Sequence, residues 1–164
     1  MHINSKRDDG YHNLQTIFQL LDFYDEINFS VREDGEINRT LGNEDIPLAN
    51  DLMIKSAKKL QKLSGVNLGV DIRIIKKIPS GGGLGGGSSN AATTLMALNQ
   101  LWGLELTKQQ LIAIGKGIGA DVPVFIEGQS SWAEGIGEIL YPLNLPKYFY
   151  LVVSINKHGS TKEI

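Results

Sequence analysis

With 164 residues, 41% of them hydrophobic, the chain can bury one core with at most a small appendage. A net charge of −2 leaves no broad basic surface, which argues against nucleic acid or an anionic membrane as the main partner. There are no cysteines, so disulfides, thiolate zinc sites and cysteine nucleophiles are excluded together.

In chain order, the stretch MHINSKRDDG lacks the apolar run of a secretory leader. Leu14 to Val31 holds two β-rich stretches, one on either side of Asp22. Ile27, Phe29 and Val31 alternate with Glu26, Asn28 and Ser30, the period of two that marks a half-buried strand. Glu33 to Ile37 (EDGEI) reads as a turn and then a short strand. Asn50-Asp51 opens a helix in which Leu52, Ile54, Ala57, Leu60 and Leu63 fall at helical spacing, and Gly65 ends it. Val70 to Ile78 (VDIRIIKKI) reads as a strand running into a glycine-rich segment. SSNAATTLMALNQLWG then predicts a small-residue helix, and LTKQQLIAIGKGIG another with Thr107 as its N-cap. GADVPVFIEG reads as a turn and a short apolar run, followed by strands in SSWAEGIGEILYPL and in KYFYLVVSI (Lys147 to Ile155). Trp102 and Trp132 read as packing residues of the core or of a helix end. Strands mixed with consecutive helices predict the α+β class rather than a doubly wound sheet. No apolar run approaches the roughly 20 residues of a membrane span.

Residues 79–90 read PSGGGLGGGSSN, and six of these twelve are glycine. Glycine inside regular structure costs about 0.5–1 kcal/mol relative to alanine, so this concentration needs a reason. A helix N-terminus leaves its first amides unpaired and carries partial positive charge, and glycines ahead of it let backbone amides approach phosphate oxygens closely. Ser88 and Ser89 add hydroxyls, while Ala91 and Ala92 let the helix start pack tightly. A Walker A loop would end in Gly-Lys-Ser/Thr, whereas this one ends in Gly-Ser-Ser. Gly81, Gly83 and Gly86 satisfy G-x-G-x-x-G, but LWGLELTKQQ stands where a dinucleotide fold needs a second strand ending in an acid. A protein-kinase glycine loop joins two strands, and this one opens a helix.

Other charged residues carry less. Lys76 and Lys77 read as a solvated strand edge, with attraction for a triphosphate as the alternative. His2, His12 and His158 are scattered at no metal-ligand spacing. Glu134 and Glu138 are separated by glycines and receive no catalytic role.

PSGGGLGGGSSNAA resembles the ATP-binding motif of the GHMP kinase superfamily, named for galactokinase and the homoserine, mevalonate and phosphomevalonate kinases. KRDDGYHNLQT (Lys6 to Thr16), GADVPVF (Gly119 to Phe125) and AEGIGE (Ala133 to Glu138) follow the order found in one branch of it. That branch transfers the γ-phosphoryl of ATP to the 2-hydroxyl of a cytidine diphosphate-linked methylerythritol, in the non-mevalonate route to isoprenoids. The resemblance implies that Pro79, Ser80, Gly81, Gly82, Gly83, Leu84, Gly85, Gly86, Gly87, Ser88 and Ser89 wrap the ATP phosphates. It implies that Asp121 is the catalytic aspartate, accepting the hydroxyl proton as phosphoryl transfer proceeds. On its residues alone, Asp121 reads as a helix cap or turn residue ahead of Pro123. Tyr11 and His12 match the residues that hold the cytosine, one by stacking and one by hydrogen bonding; a surface turn with an ordinary aromatic anchor is the other reading.

The implied fold is the N-terminal domain of this superfamily, related to the second domain of ribosomal protein S5, and residues 1–164 are expected to be an incomplete copy. A first strand bearing Pro-Ala-Lys and a C-terminal domain are expected beyond its two ends. The segment alone is then expected to be weakly active or inactive, and a sheet edge left unpaired would offer a homodimer contact. Magnesium is implied by ATP chemistry with no ligands assigned. A bacterial cytoplasm or plastid stroma is the implied compartment. Two alternatives stand beside this reading: a non-catalytic nucleotide-binding fragment, and another small-molecule kinase of the superfamily, against which DGYH speaks.

Overall fold

A computed structural model describes residues 2–6, 10 and 12–153. Its elements, in chain order, are β1 (His2–Lys6), β2 (His12–Phe18), β3 (Glu26–Arg32), β4 (Ile37–Leu41), α1 (Leu52–Ser64) and β5 (Gly69–Ile75). They continue with α2 (Gly86–Leu101), α3 (Lys108–Lys116), α4 (Val122–Glu127), β6 (Ser131–Glu134) and β7 (Ile139–Pro142). The mixed α and β content matches the expected class.

Two sheets result. β1, β2, β6 and β7 form an antiparallel sheet in that order, while the other sheet runs β3-β5-β4. In the second sheet β3 lies antiparallel to the central β5 and β4 parallel to it. A parallel pair needs a crossover, and α1 supplies it. Val70, Ile72 and Ile74 of β5 are buried, while Asp71, Arg73 and Ile75 point the other way. Across the ladder Ile27 stands opposite Ile74 and Phe29 opposite Ile72, so half-buried side chains of β3 extend the same apolar face. Onto that face fall Met53, Ile54, Ala57 and Leu60 of α1 and Ala91, Ala92, Leu95 and Leu98 of α2. The two helices pack against each other, with Ala57, Ala91 and Ala92 fully buried. α4 in turn packs against α2 and α3.

Helix ends follow local chemistry. Asp51 caps α1 by accepting the Met53 amide at 2.8 Å, and Gly65 closes it in the left-handed conformation. Thr107 and Gln110 form a capping box at the start of α3. Trp102 ends α2 nearly buried, its indole N–H donating to the Gly69 carbonyl.

Three expectations are revised. β5 stops at Ile75 rather than Ile78, because the amides of Lys77 and Ile78 donate to Asp25 instead of to a neighbouring strand. The apolar run of GADVPVFIEG is helical: Pro123 sits in the first turn, where its missing N–H leaves no bond unmade. Residues 147–153 of the expected strand KYFYLVVSI have no regular structure, and Ser154 and Ile155 lie outside the described residues. β-rich composition makes a strand only where a ladder partner exists. Phe149 and Leu151 stand almost fully exposed instead. Among the described residues, no helix is long and apolar enough to cross a membrane.

Asp51 also carries the structural ion pair of the core edge. Arg39 Nη1 meets its Oδ2 at 2.6 Å, and Nη2 donates to the Ile46 carbonyl, which pins the loop between β4 and α1. The two side chains are 9% and 1% exposed. Asp51→Ala therefore strands a desolvated guanidinium as well as uncapping α1, and urea unfolding should show a loss of about 3–5 kcal/mol. Asp51→Ala with Arg39→Met should lose clearly less than the sum of the single changes. Strict additivity would show that the pair is not coupled.

Candidate active site around the glycine loop

The glycine segment connects β5 to α2 across the end of the second sheet. Gly85 stands at the N-cap of α2 with φ 67° and ψ 14°, and no side chain caps that end. The amide of Ser89 already bonds to the Gly85 carbonyl, whereas helix geometry leaves the amides of the first turn without intrahelical acceptors. Two approaches are possible only without a β-carbon. A Cβ on Gly85 would lie 2.8 Å from Phe125 Cζ, and one on Gly86 would lie 2.9 Å from Ile78 Cγ2. Glycine at these two positions seats the uncapped helix start directly against α4 and the end of β5.

The loop separates two concavities. On one side is a cleft of about 350 Å³, walled by Phe18, Leu20, Leu21, Phe23 and Tyr24 from the β2–β3 segment and by Val124 and Phe125 of α4. Gly83, Leu84, Gly85 and Ser89 form its floor, and Asp121 faces into it. On the other side, a groove of about 260 Å³ runs along Pro79 to Ser88, with Lys76, Asn90, Asn43, Ile46 and Leu52 as its far wall. Gly83 to Gly85 belong to both.

Asp121 occupies the N-cap position of α4 but does not act as a cap: its backbone is αR and its side chain makes no capping hydrogen bond. Among the described residues no cation pairs with its carboxylate, and burial pushes that carboxyl above its ordinary value. It lies beside the helix start, since a Cβ on the nearby Gly119 would be 3.6 Å from Ser88 Oγ. A half-buried carboxylate with no hydrogen-bond donor among the described residues, lining one cleft with an uncapped helix terminus, is arranged to take up a proton next to a place suited to negative charge.

The structure thus brings the glycine segment and Asp121 together. His12 lies elsewhere: it begins β2, is exposed, and lines neither concavity. Tyr11 falls outside the described residues. Lys76 is not a solvated strand edge. Its ammonium reaches Asp25 Oδ2 at 2.5 Å, while Lys77 lies on the surface against Glu26 and the Tyr24 ring. Glu134 accepts from Trp132 of β6 and Gln15 of β2, and Glu138 accepts from the Ile136 amide within the β6–β7 turn. The aromatic wall of Phe18, Phe23, Tyr24 and Phe125 and the carboxylate of Asp25 had no signal of their own in the sequence, because their neighbours here are distant along the chain.

Known proteins match this arrangement. The family described as GHMP kinases N terminal domain matches residues 51–129, from the cap of α1 to the residue after Gly128. A 4-diphosphocytidyl-2-C-methyl-D-erythritol kinase from Ruthia magnifica subsp. Calyptogena magnifica is 63% identical over the whole chain, and one from Alkalilimnicola ehrlichii is 51% identical. The chain spans 58% and 56% of the length of these two relatives. A crystal structure of 4-(cytidine 5'-diphospho)-2C-methyl-D-erythritol kinase superposes with a TM-score of 0.72 at 36% identity, covering 88% of this chain and 51% of that one. A homoserine kinase from Cytophaga hutchinsonii, at 18% identity, shares the fold with a TM-score of 0.63 over 83% of this chain and 46% of its own. Residues 51–129 thus match the family described as GHMP kinases N terminal domain, in a chain that is similar along its whole length to the 4-diphosphocytidyl-2-C-methyl-D-erythritol kinases named above.

Proposed function

We propose that this chain supplies the nucleotide and catalytic side of a small-molecule kinase, which moves the γ-phosphoryl of ATP onto the 2-hydroxyl of a cytidine diphosphate-linked methylerythritol. The observation that carries the reading is that Asp121 and the uncapped start of α2 line one cleft. The names of the relatives supply the acceptor. Residues 1–164 act in this reading as the N-terminal domain of the longer enzyme that the relatives represent.

The parts divide by chemistry. The amides of the glycine segment and the first turn of α2 hold phosphate oxygens, and Lys76 at the edge of the groove adds a cation. The acceptor alcohol lies in the aromatic-walled cleft on the other side. Gly83 to Gly85, common to both, are where the two substrates meet. The hydroxyl oxygen forms a bond to the γ-phosphorus, the bond to the β,γ-bridging oxygen breaks, and ADP leaves. Asp121 takes the hydroxyl proton, and its raised proton affinity favours that transfer. Val124, Phe125 and Leu84 exclude water around it. Magnesium accompanies ATP in such reactions. Among the described residues no group of three or more His, Asp or Glu side chains converges to hold an ion. Tyr11 and His12 are proposed to read the cytosine.

Two outcomes test this in the full-length protein. Asp121→Asn should lower kcat by about 10²–10⁴-fold in ADP release with ATP, magnesium and the cytidine-linked alcohol. The wild-type acid limb of kcat should lie above the ordinary carboxylate range, because the base works only when deprotonated and its carboxyl is raised. Burial disfavours the ionised form of Asp121 in the folded chain, so at neutral pH the carboxylate costs stability and Asp121→Asn should leave Tm unchanged or higher. Turnover that survives the change would remove Asp121 from the mechanism. His12→Ala should raise KM for the cytidine-linked alcohol by about 10-fold with KM for ATP unchanged, the loss expected for a hydrogen bond to a base edge. An unchanged KM for the alcohol would take the cytosine away from His12.

A further inference from the structure

Asp25 ends the segment between β2 and β3 and lines neither the cleft nor the groove, yet its carboxylate is the most heavily bonded group near the loop. Its side chain shows no exposed surface. Oδ1 accepts from the amides of Lys77 at 2.7 Å and Ile78 at 2.8 Å. Oδ2 accepts from Lys76 Nζ at 2.5 Å and Asn90 Nδ2 at 2.9 Å. These four donors stand at the two ends of the glycine segment: three on the residues leading into it and one on the helix leading out.

We propose that Asp25 is the positioning residue of the glycine loop, fixing both of its ends and holding the Lys76 ammonium at the rim of the groove where the phosphates lie. This rests on reading the loop as a phosphate site. A glycine-rich segment gives up more backbone freedom on ordering than any other, and a loop ordered beforehand gives up less when its ligand arrives. Pinning the ends shortens the span that is free to fluctuate. Lys76 is placed by the same contact, since a Cβ on Gly86 would stand 3.4 Å from its Nζ. Burial alone would push the Asp25 carboxyl up, but Lys76, the two amides and Asn90 outweigh it and hold it below its ordinary value. Its charge is thereby taken up within the fold, so Asp25 can stand close behind a phosphate site without repelling the ligand.

Asp25→Asn in the full-length protein is the test. The new side chain keeps an oxygen for the two amides but turns an NH₂ toward Lys76 and Asn90, which are both donors. KM for ATP should rise about tenfold or more, while KM for the acceptor alcohol stays within about twofold. Without nucleotide, hydrogen exchange should quicken across 79–89 and stay unchanged in Val70–Ile75. Adding Asn90→Asp to Asp25→Asn returns a carboxylate to the node and should recover most of the ATP affinity. Leu60→Ala, on the buried face of α1, destabilises without touching the loop and should leave KM for ATP and the loop's exchange as in wild type. Unchanged KM and unchanged exchange in Asp25→Asn would overturn the proposal, as would an equal KM shift in Leu60→Ala. Should Asp25→Asn fail to fold, Asn90→Ala takes its place in the exchange measurement: faster exchange across 79–89 supports the tether, and wild-type rates overturn it. If the wild-type protein itself binds no ATP, the phosphate reading fails, and the exchange comparison alone decides whether Asp25 sets the loop.

Discussion

The chain has to leave a strand whose face is buried and, over the ten residues 76–85, turn back into a helix packed on that face. That single constraint organises the site. Val70, Ile72 and Ile74 hold β5 under α1 and α2, so its continuation cannot swing outward without opening the core. The turn back must pass between Ile78 and Phe125, and at Gly85 and Gly86 there is no room for a β-carbon. Because the N-cap is a glycine, α2 starts with no side chain to satisfy its first amides. The packing that demands glycine therefore also leaves a helix terminus open to an outside acceptor. The core packing and the open helix start are two results of one steric condition.

Two aspartates near this turn are held in opposite states. Asp25 is buried and saturated by four donors, and its carboxyl is lowered. Asp121 is half-buried with no donor among the described residues, and burial raises its carboxyl. Environments that drive two like groups apart suit different tasks: the donors around Asp25 favour its carboxylate, while burial disfavours that of Asp121. Burial disfavours the ionised form of Asp121, and its side chain gives α4 no cap in return. A residue kept at that expense fits the chemical role proposed for it better than the role of a helix cap that its sequence context suggests.

What was legible in the sequence was local. Asp51 and Gly65 mark α1 at both ends, and Thr107 with Gln110 marks the start of α3, because caps act over three or four residues. The glycine segment announced an anion site by composition. What failed depended on partners far along the chain. β5 ends early because Asp25, some fifty residues upstream, takes the amides that a longer strand would have used. Lys76 looked like a solvated edge for the same reason. KYFYLVVSI has the composition of a strand and, over 147–153, no ladder to join. α4 was hidden behind Pro123, although proline is at ease in a first helical turn. Asp121 was legible only through resemblance, since a lone Asp before Val-Pro carries no chemistry until the cleft is seen.

The loop's double exposure has a consequence for specificity. Its groove face is glycine backbone, hydroxyls and one ammonium, chemistry suited to phosphates of any nucleotide. Its cleft face looks onto Phe18, Phe23, Tyr24 and Phe125, which belong to the β2–β3 segment and to α4. Selection of the acceptor can thus change with those side chains while the loop stays fixed, tethered from behind by Asp25. The homoserine kinase superposes at 18% identity, so the same frame supports a sequence that differs at most positions. In this chain the close approaches at Gly85 and Gly86 and the aromatic wall sit on different elements, so one can vary without the other.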